Sequence, residues 1–219
     1  MGYGLIETLR VREGRIPFLE RHLARLERSL RALGLPSPSE SVAVLVRPFA
    51  GLGDAVLRIE VRDGRASVTV RERPLLDSPV VITASEPHRA YPHKTTERDC
   101  FIDALRQAEV AEADDALLLT HDGFVAEGTA WNVFWWDGDR LHTPALELGI
   151  LPGIARSRVL ELVPRVQESR SPRSVLAGKS VFLANAVRGV VPIAELDGAA
   201  VPLYARTDEV TQRFWPGGG

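Results

Sequence analysis

A chain of 219 residues, 45% apolar and 26% charged, can bury a core of its own as one large domain or two small ones. Its 27 basic residues are interspersed among 29 acidic ones for a net charge of -2, which argues against a polyanion-binding surface and so against a nucleic-acid role. A single cysteine, Cys100, excludes an internal disulfide framework; with no bilayer-length apolar run and no signal-peptide pattern, the expected setting is the cytoplasm, without a membrane partner.

Residues 4–11 are β-prone, Glu13-Gly14-Arg15 supplies a turn, and a short second strand is expected from Ile16. From Phe18 onward Leu19, Leu23, Leu26, Leu30 and Leu33 recur at spacings of three and four, with Gly34 and Pro36 as stops, the pattern of an amphipathic helix. His22 and Arg25 lie one turn apart on it, and taken singly they also suit an ordinary solvated face. Pro38-Ser39-Glu40-Ser41 reads as the cap of a second helix reaching about Phe49. Residues 55–61 and 66–70 form a hairpin about Asp63-Gly64, with Arg58 and Glu60 on one face of its first strand, where they can pair.

Residues 80–84 make a further strand, and 86–91 form a polar connection into His93-Lys94-Thr95. Lys94 is one of two lysines in a chain whose other cations are all arginine. An amine can lose its proton and attack a carbonyl, whereas a guanidinium stays charged, so Lys94 is a candidate imine-forming residue; on this stretch alone a surface lysine is an equal reading. Lys179, in the polar turn Leu176-Ala177-Gly178-Lys179-Ser180, reads as solvated. The expected organisation is a smaller N-terminal α/β domain over residues 1–86, a linker over 87–94, and a larger domain over 95–219 with a mostly antiparallel sheet. A linker ending at Lys94 sets that residue in a cleft.

Beyond the linker, Phe101, Leu105 and Ala108 give a helix ending near Ala113, on which Cys100 suits a buried small residue better than a nucleophile. Residues 116–120, 124–127, 132–136 and 140–143 read as a meander with turns at Asp122-Gly123 and Asp137-Gly138. A helix follows from Gly153 to about Leu162, residues 181–185 and 190–193 complete the sheet, and 207–215 form a last helix before a frayed, glycine-rich end.

Three features here exceed a bland sheet. Glu127 ends a strand beside Gly128-Thr129-Ala130, small residues that admit close approach; such a carboxylate suits the protonated nitrogen of a heterocycle, though exposed strand-end glutamates are common. Leu151-Pro152-Gly153-Ile154-Ala155 opens a helix whose first amides can meet a phosphate. Ala184-Asn185-Ala186 offers small and amide groups for a second phosphate contact, or is simply a turn. Together with Lys94 and Arg25 these are the parts needed to hold pyridoxal 5'-phosphate (PLP). The chain carries no dinucleotide fingerprint, Walker loop, paired-cysteine motif or His-Glu-x-x-His, and its five scattered histidines suggest no metal.

Six segments carry a resemblance to a known family. They are Ile6-Glu7-Thr8-Leu9-Arg10, residues 18–26 with His22 and Arg25, His93-Lys94-Thr95, Glu127 through Phe134, residues 151–156, and Asn185 through Ile193. In this order they resemble the fold-type IV PLP enzymes, D-amino acid aminotransferase-like two-domain proteins of mixed α/β class that include branched-chain aminotransferase and aminodeoxychorismate lyase. The resemblance implies Lys94 as the Schiff-base lysine and proton shuttle, and Glu127 as the partner of the ring nitrogen. Arg25, the amides of Ile154 and Ala155, and Asn185 with Ala186 would bind the phosphate, and Arg58 and Thr8 would lie on the substrate side. By the resemblance the family's first strand is expected to be missing, with the N-terminal domain truncated at its start, and the chain departs from the family pattern in Ala155, where a threonine is frequent, and in Asp99, where aminotransferases often carry tyrosine.

The Asn-Ala-x-x-Gly-Val-x-Pro run and Asn132-Val133-Phe134-Trp135 look most like aminodeoxychorismate lyase, which gives p-aminobenzoate, a folate precursor, and pyruvate by β-elimination. The alternatives are an aminotransferase for branched-chain or D-amino acids and a non-catalytic member with weakened PLP binding. A small amino compound as substrate and a homodimer are further expectations from the resemblance.

Overall fold

The computed structural model describes residues 3–72 and 76–217. The chain divides into two compact units, Met1–Leu75 with His93–Glu97, and Leu76–Pro92 with Arg98–Gly219.

Unit 1 is built on β1 (Leu5–Arg12), which leads to α1 (Leu19–Ala32) and α2 (Val42–Val46), followed by β2 (Asp54–Arg62) and β3 (Arg65–Arg71). The strands form an antiparallel sheet in the order β1-β2-β3. Alternate residues of a strand face one side, so Leu5, Leu9 and Val11 of β1 and Leu57, Ile59 and Val61 of β2 share a face, buried with Leu26 and Leu30 of α1 and Val42 and Val46 of α2. Glu7 lies in that same row of β1 and is 2% exposed. Thr8 stands opposite Arg58 in the β1–β2 register, on the other face.

Two expectations for unit 1 need correction. Ile16 begins no strand; Arg12 and Arg15 instead exchange backbone bonds of 2.8 and 3.0 Å that close the turn. The second helix stops at Val46 and passes into a 3₁₀ turn at Arg47–Gly51, since Pro48 has no amide to donate, and Ser41 is its N-cap without a side-chain cap bond.

Residues 93–97 pair with the remaining edge of β1. Ile6 N donates to Lys94 O at 2.7 Å, Thr96 N donates to Gly4 O at 2.9 Å, and Leu5 stands opposite Thr95. Lys94 is thereby carried on a strand-like segment of unit 1.

Unit 2 begins with β4 (Val80–Thr83), α3 (Asp99–Val110), β5 (Asp115–Leu119), β6 (Val125–Gly128), β7 (Asn132–Asp137) and β8 (Arg140–Pro144). It continues through α4 (Ile154–Leu162), β9 (Gln167–Ser169), β10 (Val181–Asn185), β11 (Gly189–Pro192), β12 (Glu195–Leu196), β13 (Ala199–Ala200) and α5 (Ala205–Phe214). Two five-stranded sheets form, in the orders β11-β10-β7-β8-β9 and β13-β12-β4-β5-β6. Most pairings are antiparallel; β8–β9, β12–β4 and β4–β5 are parallel. Val81, Leu117, Val125, Val133, Trp135, Val181, Leu183 and Ile193, drawn from both sheets, share one core.

The expected single meander over residues 116–143 is therefore two hairpins in different sheets, β5–β6 in one and β7–β8 in the other, and the break between them is the turn 128–131. The division of the chain also differs from the expected boundaries at 86 and 94. Val81 and Ile82 of β4 pair with Asp115 and Ala116, which draws residues 76–92 into unit 2, while the ladder to β1 draws 93–97 into unit 1. The short strands β9, β12 and β13 have no periodic signal in the sequence.

Candidate active site

In unit 1 the buried face of α1 is polar as well as apolar, carrying His22, Arg25 and Ser29 at 1%, 5% and 4% exposure. The solvated-face reading of His22 and Arg25 is thus excluded, because Glu7 meets them inside. Arg25 Nε donates to Glu7 Oε1 at 2.8 Å and Arg25 Nη2 donates to Oε2 at 2.6 Å, a two-pronged pair, and His22 Nδ1 approaches Oε2 at 2.6 Å. A carboxylate only accepts, so Nδ1 carries the His22 proton; Nε2 is buried without a hydrogen-bond partner among the described residues. Burial would raise the Glu7 pKa, but the charges of Arg25 and His22 and their hydrogen bonds outweigh it and bring it down to about 2. Burial holds His22 below the usual imidazole range against the pull of Glu7, and the charges of Arg25 and Lys94 add to that effect.

One turn further along α1, Ser29 Oγ lies 3.0 Å from Nδ1 of His93, the neighbour of Lys94. The helix face that holds Arg25 thus also anchors the lysine-bearing segment. Arg58 lies near Glu60 on β2, Nη2 to Oε2 at 3.9 Å, the pairing open to it on sequence grounds, and Thr8 is its cross-strand neighbour. Unit 1 therefore sets Arg25 against the Glu7 row of β1 and Lys94 along the strand's edge, whereas Thr8 and Arg58 lie on the opposite face of the sheet.

In unit 2 the remaining candidates converge on the turn between β6 and β7. Glu127 is 3% exposed, which excludes the exposed strand-end reading. Its Oε1 lies 2.9 Å from His88 Nε2 and accepts from Leu151 N at 3.2 Å. Leu151 O in turn accepts from Asn132 Nδ2 at 3.0 Å, which ties the loop ahead of α4 to the first residue of β7. Gly153, the N-cap of α4, is required here, since a Cβ at that position would lie 1.9 Å from Asn132 Oδ1. The helix has no side-chain cap bond, so its first amides, at Ile154 and Ala155, keep the donor capacity of a helix start. Asn185 Nδ2 donates to Ala130 O at 3.4 Å, while its Oδ1 accepts from Val187 N at 3.0 Å and Arg188 N at 2.8 Å, shaping the turn that contains Ala186.

The same turn is clamped from β5. Asp115, 5% exposed, accepts from Thr129 N and Thr129 Oγ1 at 3.0 Å and from Trp131 Nε1 at 2.8 Å; burial pushes its carboxyl pKa up despite these donors. Arg98 Nη2 donates to Thr129 O at 2.7 Å. Asp99, the departure from the family pattern, is exposed in the first turn of α3, where a negative charge suits the helix dipole. Cys100 is buried and free, and Lys179 pairs with Asp137 at 2.5 Å at the surface.

Sequence reasoning missed His88, Asp115 and the structural part of Glu7. Glu7 had a signal, a lone carboxylate in a strand row that is otherwise apolar, and Asp115 heads an apolar run. His88 had none.

The mixed α/β chain has the fold of fold-type IV transaminases. The pattern of the amino-transferase class IV family matches residues 4–196, and the chain belongs to that family, whose members are PLP-dependent enzymes. It is 25% identical to the aminodeoxychorismate lyase of Bacillus subtilis, over 90% of this chain and 78% of that one. A fold IV-transaminase of Curtobacterium pusillum, 26% identical, superposes with a TM-score of 0.79 over 94% of this chain and 82% of its own. A branched-chain aminotransferase of Thermoproteus uzoniensis shares the fold, with a TM-score of 0.84 at 24% identity over 97% of this chain and 84% of its own.

Proposed function

We propose that the protein is a cytoplasmic, homodimeric PLP enzyme of the aminodeoxychorismate lyase type, releasing p-aminobenzoate and pyruvate for folate synthesis. The observation that carries the cofactor is Glu127: a buried carboxylate with both protein donors on Oε1 and none, among the described residues, on Oε2. The donor set fits the group. Arg25, the amides of Ile154 and Ala155, and the Asn185-Ala186 turn would take the phosphate, Glu127 the ring nitrogen and Lys94 the aldehyde carbon.

When bound, PLP supplies an electron sink for charge that develops at the substrate α-carbon. The Lys94 amine, once neutral, takes the α-proton and returns it at Nζ. Glu127 would accept a hydrogen bond from the protonated ring nitrogen. Arg58 offers a cation to a substrate carboxylate, with Thr8 beside it. In elimination the bond from the β-carbon to the leaving group would break and that group would depart with the electron pair. The proton taken up at Lys94 Nζ would pass to it to give pyruvate.

A second reading, amino transfer, is favoured by the likeness to the Curtobacterium pusillum transaminase and begins with the same proton abstraction. The deciding experiment supplies the purified, PLP-loaded protein with aminodeoxychorismate in one reaction and a branched-chain or D-amino acid with a keto acid in another. Release of pyruvate and p-aminobenzoate in the first supports the lyase; amino transfer in the second, with no pyruvate in the first, overturns it.

A further inference from the structure

We propose that His88 is a positioning residue that holds Glu127 so that Oε2 is presented to the ring nitrogen of the cofactor. The inference rests on the PLP reading above. The two oxygens of Glu127 are treated unequally: His88 Nε2 at 2.9 Å and Leu151 N at 3.2 Å both act on Oε1, and among the described residues no donor reaches Oε2. A carboxylate at a 3% exposed residue with both of its protein donors on one oxygen keeps the acceptor capacity of the other for an outside donor. A protonated heterocyclic nitrogen is such a donor.

His88 is itself held firmly enough for this work. Its backbone amide donates to Leu119 O at 2.7 Å, and its ring packs edge-on against Phe101 with centroids 6.0 Å apart. Since a carboxylate can only accept, Nε2 carries the proton and donates to Oε1. Leu151 N alone would restrain Oε1 with one long bond. Two donors from separate segments, residues 88 and 151, fix the carboxyl plane.

The test titrates apoprotein with PLP and follows the visible absorption of the bound form, alongside thermal unfolding of each apo variant. His88→Phe keeps a ring against Phe101 but removes the donor, and His88→Gln restores an amide donor of similar reach. Loss of a hydrogen bond to a charged group predicts PLP binding weaker by about ten- to a hundredfold in His88→Phe, largely recovered in His88→Gln. In a Glu127→Ala background, His88→Phe should bring no further loss. Unchanged affinity in His88→Phe, no recovery in His88→Gln, or an undiminished loss in the Glu127→Ala background overturns the proposal. If His88→Phe does not fold, His88→Asn, whose amide is too short to reach Oε1, takes its place. Should Glu127→Ala itself leave PLP affinity and spectrum unchanged, the assignment of Glu127 to the ring fails; weakened binding in Glu127→Ala with wild-type behaviour in His88→Phe sinks the positioning role alone.

Discussion

Glu7 and Glu127 are both glutamates buried to within a few per cent, both on strands and both bonded to a histidine, yet their surroundings assign them opposite work. Glu7 is saturated: Arg25 occupies both of its oxygens and His22 adds to the second. Glu127 is bonded at one oxygen by a histidine and a backbone amide, with no arginine or lysine bonded to it among the described residues. A carboxylate whose lone pairs and charge are spent inside the fold is a structural element. One with an oxygen left over can serve a ligand.

The sharpest way to separate the two regions is to remove the amine that would carry the reaction and compare it with the ion pair nearby. Lys94→Ala should lower turnover by at least about a thousandfold, as expected for loss of nucleophile and proton shuttle together, with thermal stability close to wild type. Steady-state assays beside calorimetry decide it; a residual rate within tenfold of wild type would remove Lys94 from the chemistry. Glu7→Ala should do the reverse in kind, costing about 3–5 kcal/mol of folding stability by removing the carboxylate that buried Arg25 and His22 both bond. Glu127→Ala removes the partner of no arginine or lysine and should cost less, so urea unfolding of the two alanine variants tests the contrast directly. Equal losses would break it.

Acid should reach unit 1 through the same cluster. The folded chain holds His22 below its usual 6.5, so as pH falls through that value the unfolded chain gains a proton the folded one refuses, and stability drops. Glu7, lowered from 4.5 to about 2, extends the loss between those two values. Asp115, raised by burial, runs the other way in unit 2, because its protonation favours the folded form as the medium turns acid. Unfolding free energies measured from pH 7 to pH 3 should fall, and Glu7→Gln should flatten the part below pH 4.5. A wild-type profile flat over that range would contradict the burial of the triad.

Much of this was legible before any coordinates. The leucine spacing of α1, the Asp63-Gly64 hairpin and the helix after Gly153 are local patterns, and local patterns survive in sequence. The conversion of one meander into two sheets was not, since the periodicity of β6 and β7 is the same whether they pair with each other or part at the turn 128–131. Nor was the burial of His22 and Arg25, because a helical arginine reads as solvated until its carboxylate partner, 18 residues away on another element, is known. His88 lies 39 residues from Glu127 in a segment without periodicity, and only the folded chain brings them together.

Smaller effects sharpen the picture at its edges. Gly153→Ala forces a Cβ to within 1.9 Å of Asn132 Oδ1, so it should cost about 1–3 kcal/mol and weaken PLP binding by shifting the start of α4, with partial rescue by Asn132→Ala. Without rescue, the clash is not the cause.

The smallest effect should come from the other lysine. Lys179 Nζ is paired with Asp137 Oδ1 across a surface turn, with their side chains 33% and 53% exposed. Water and salt screen such a pair, and the Asp137 carboxyl, drawn below its usual range chiefly by Lys179, moves back toward it when the amine is removed. Lys179→Ala should therefore leave turnover, PLP affinity and the unfolding midpoint at wild-type values. If turnover fell as far as in Lys94→Ala, the choice of reacting amine between the chain's two lysines would have to be reversed.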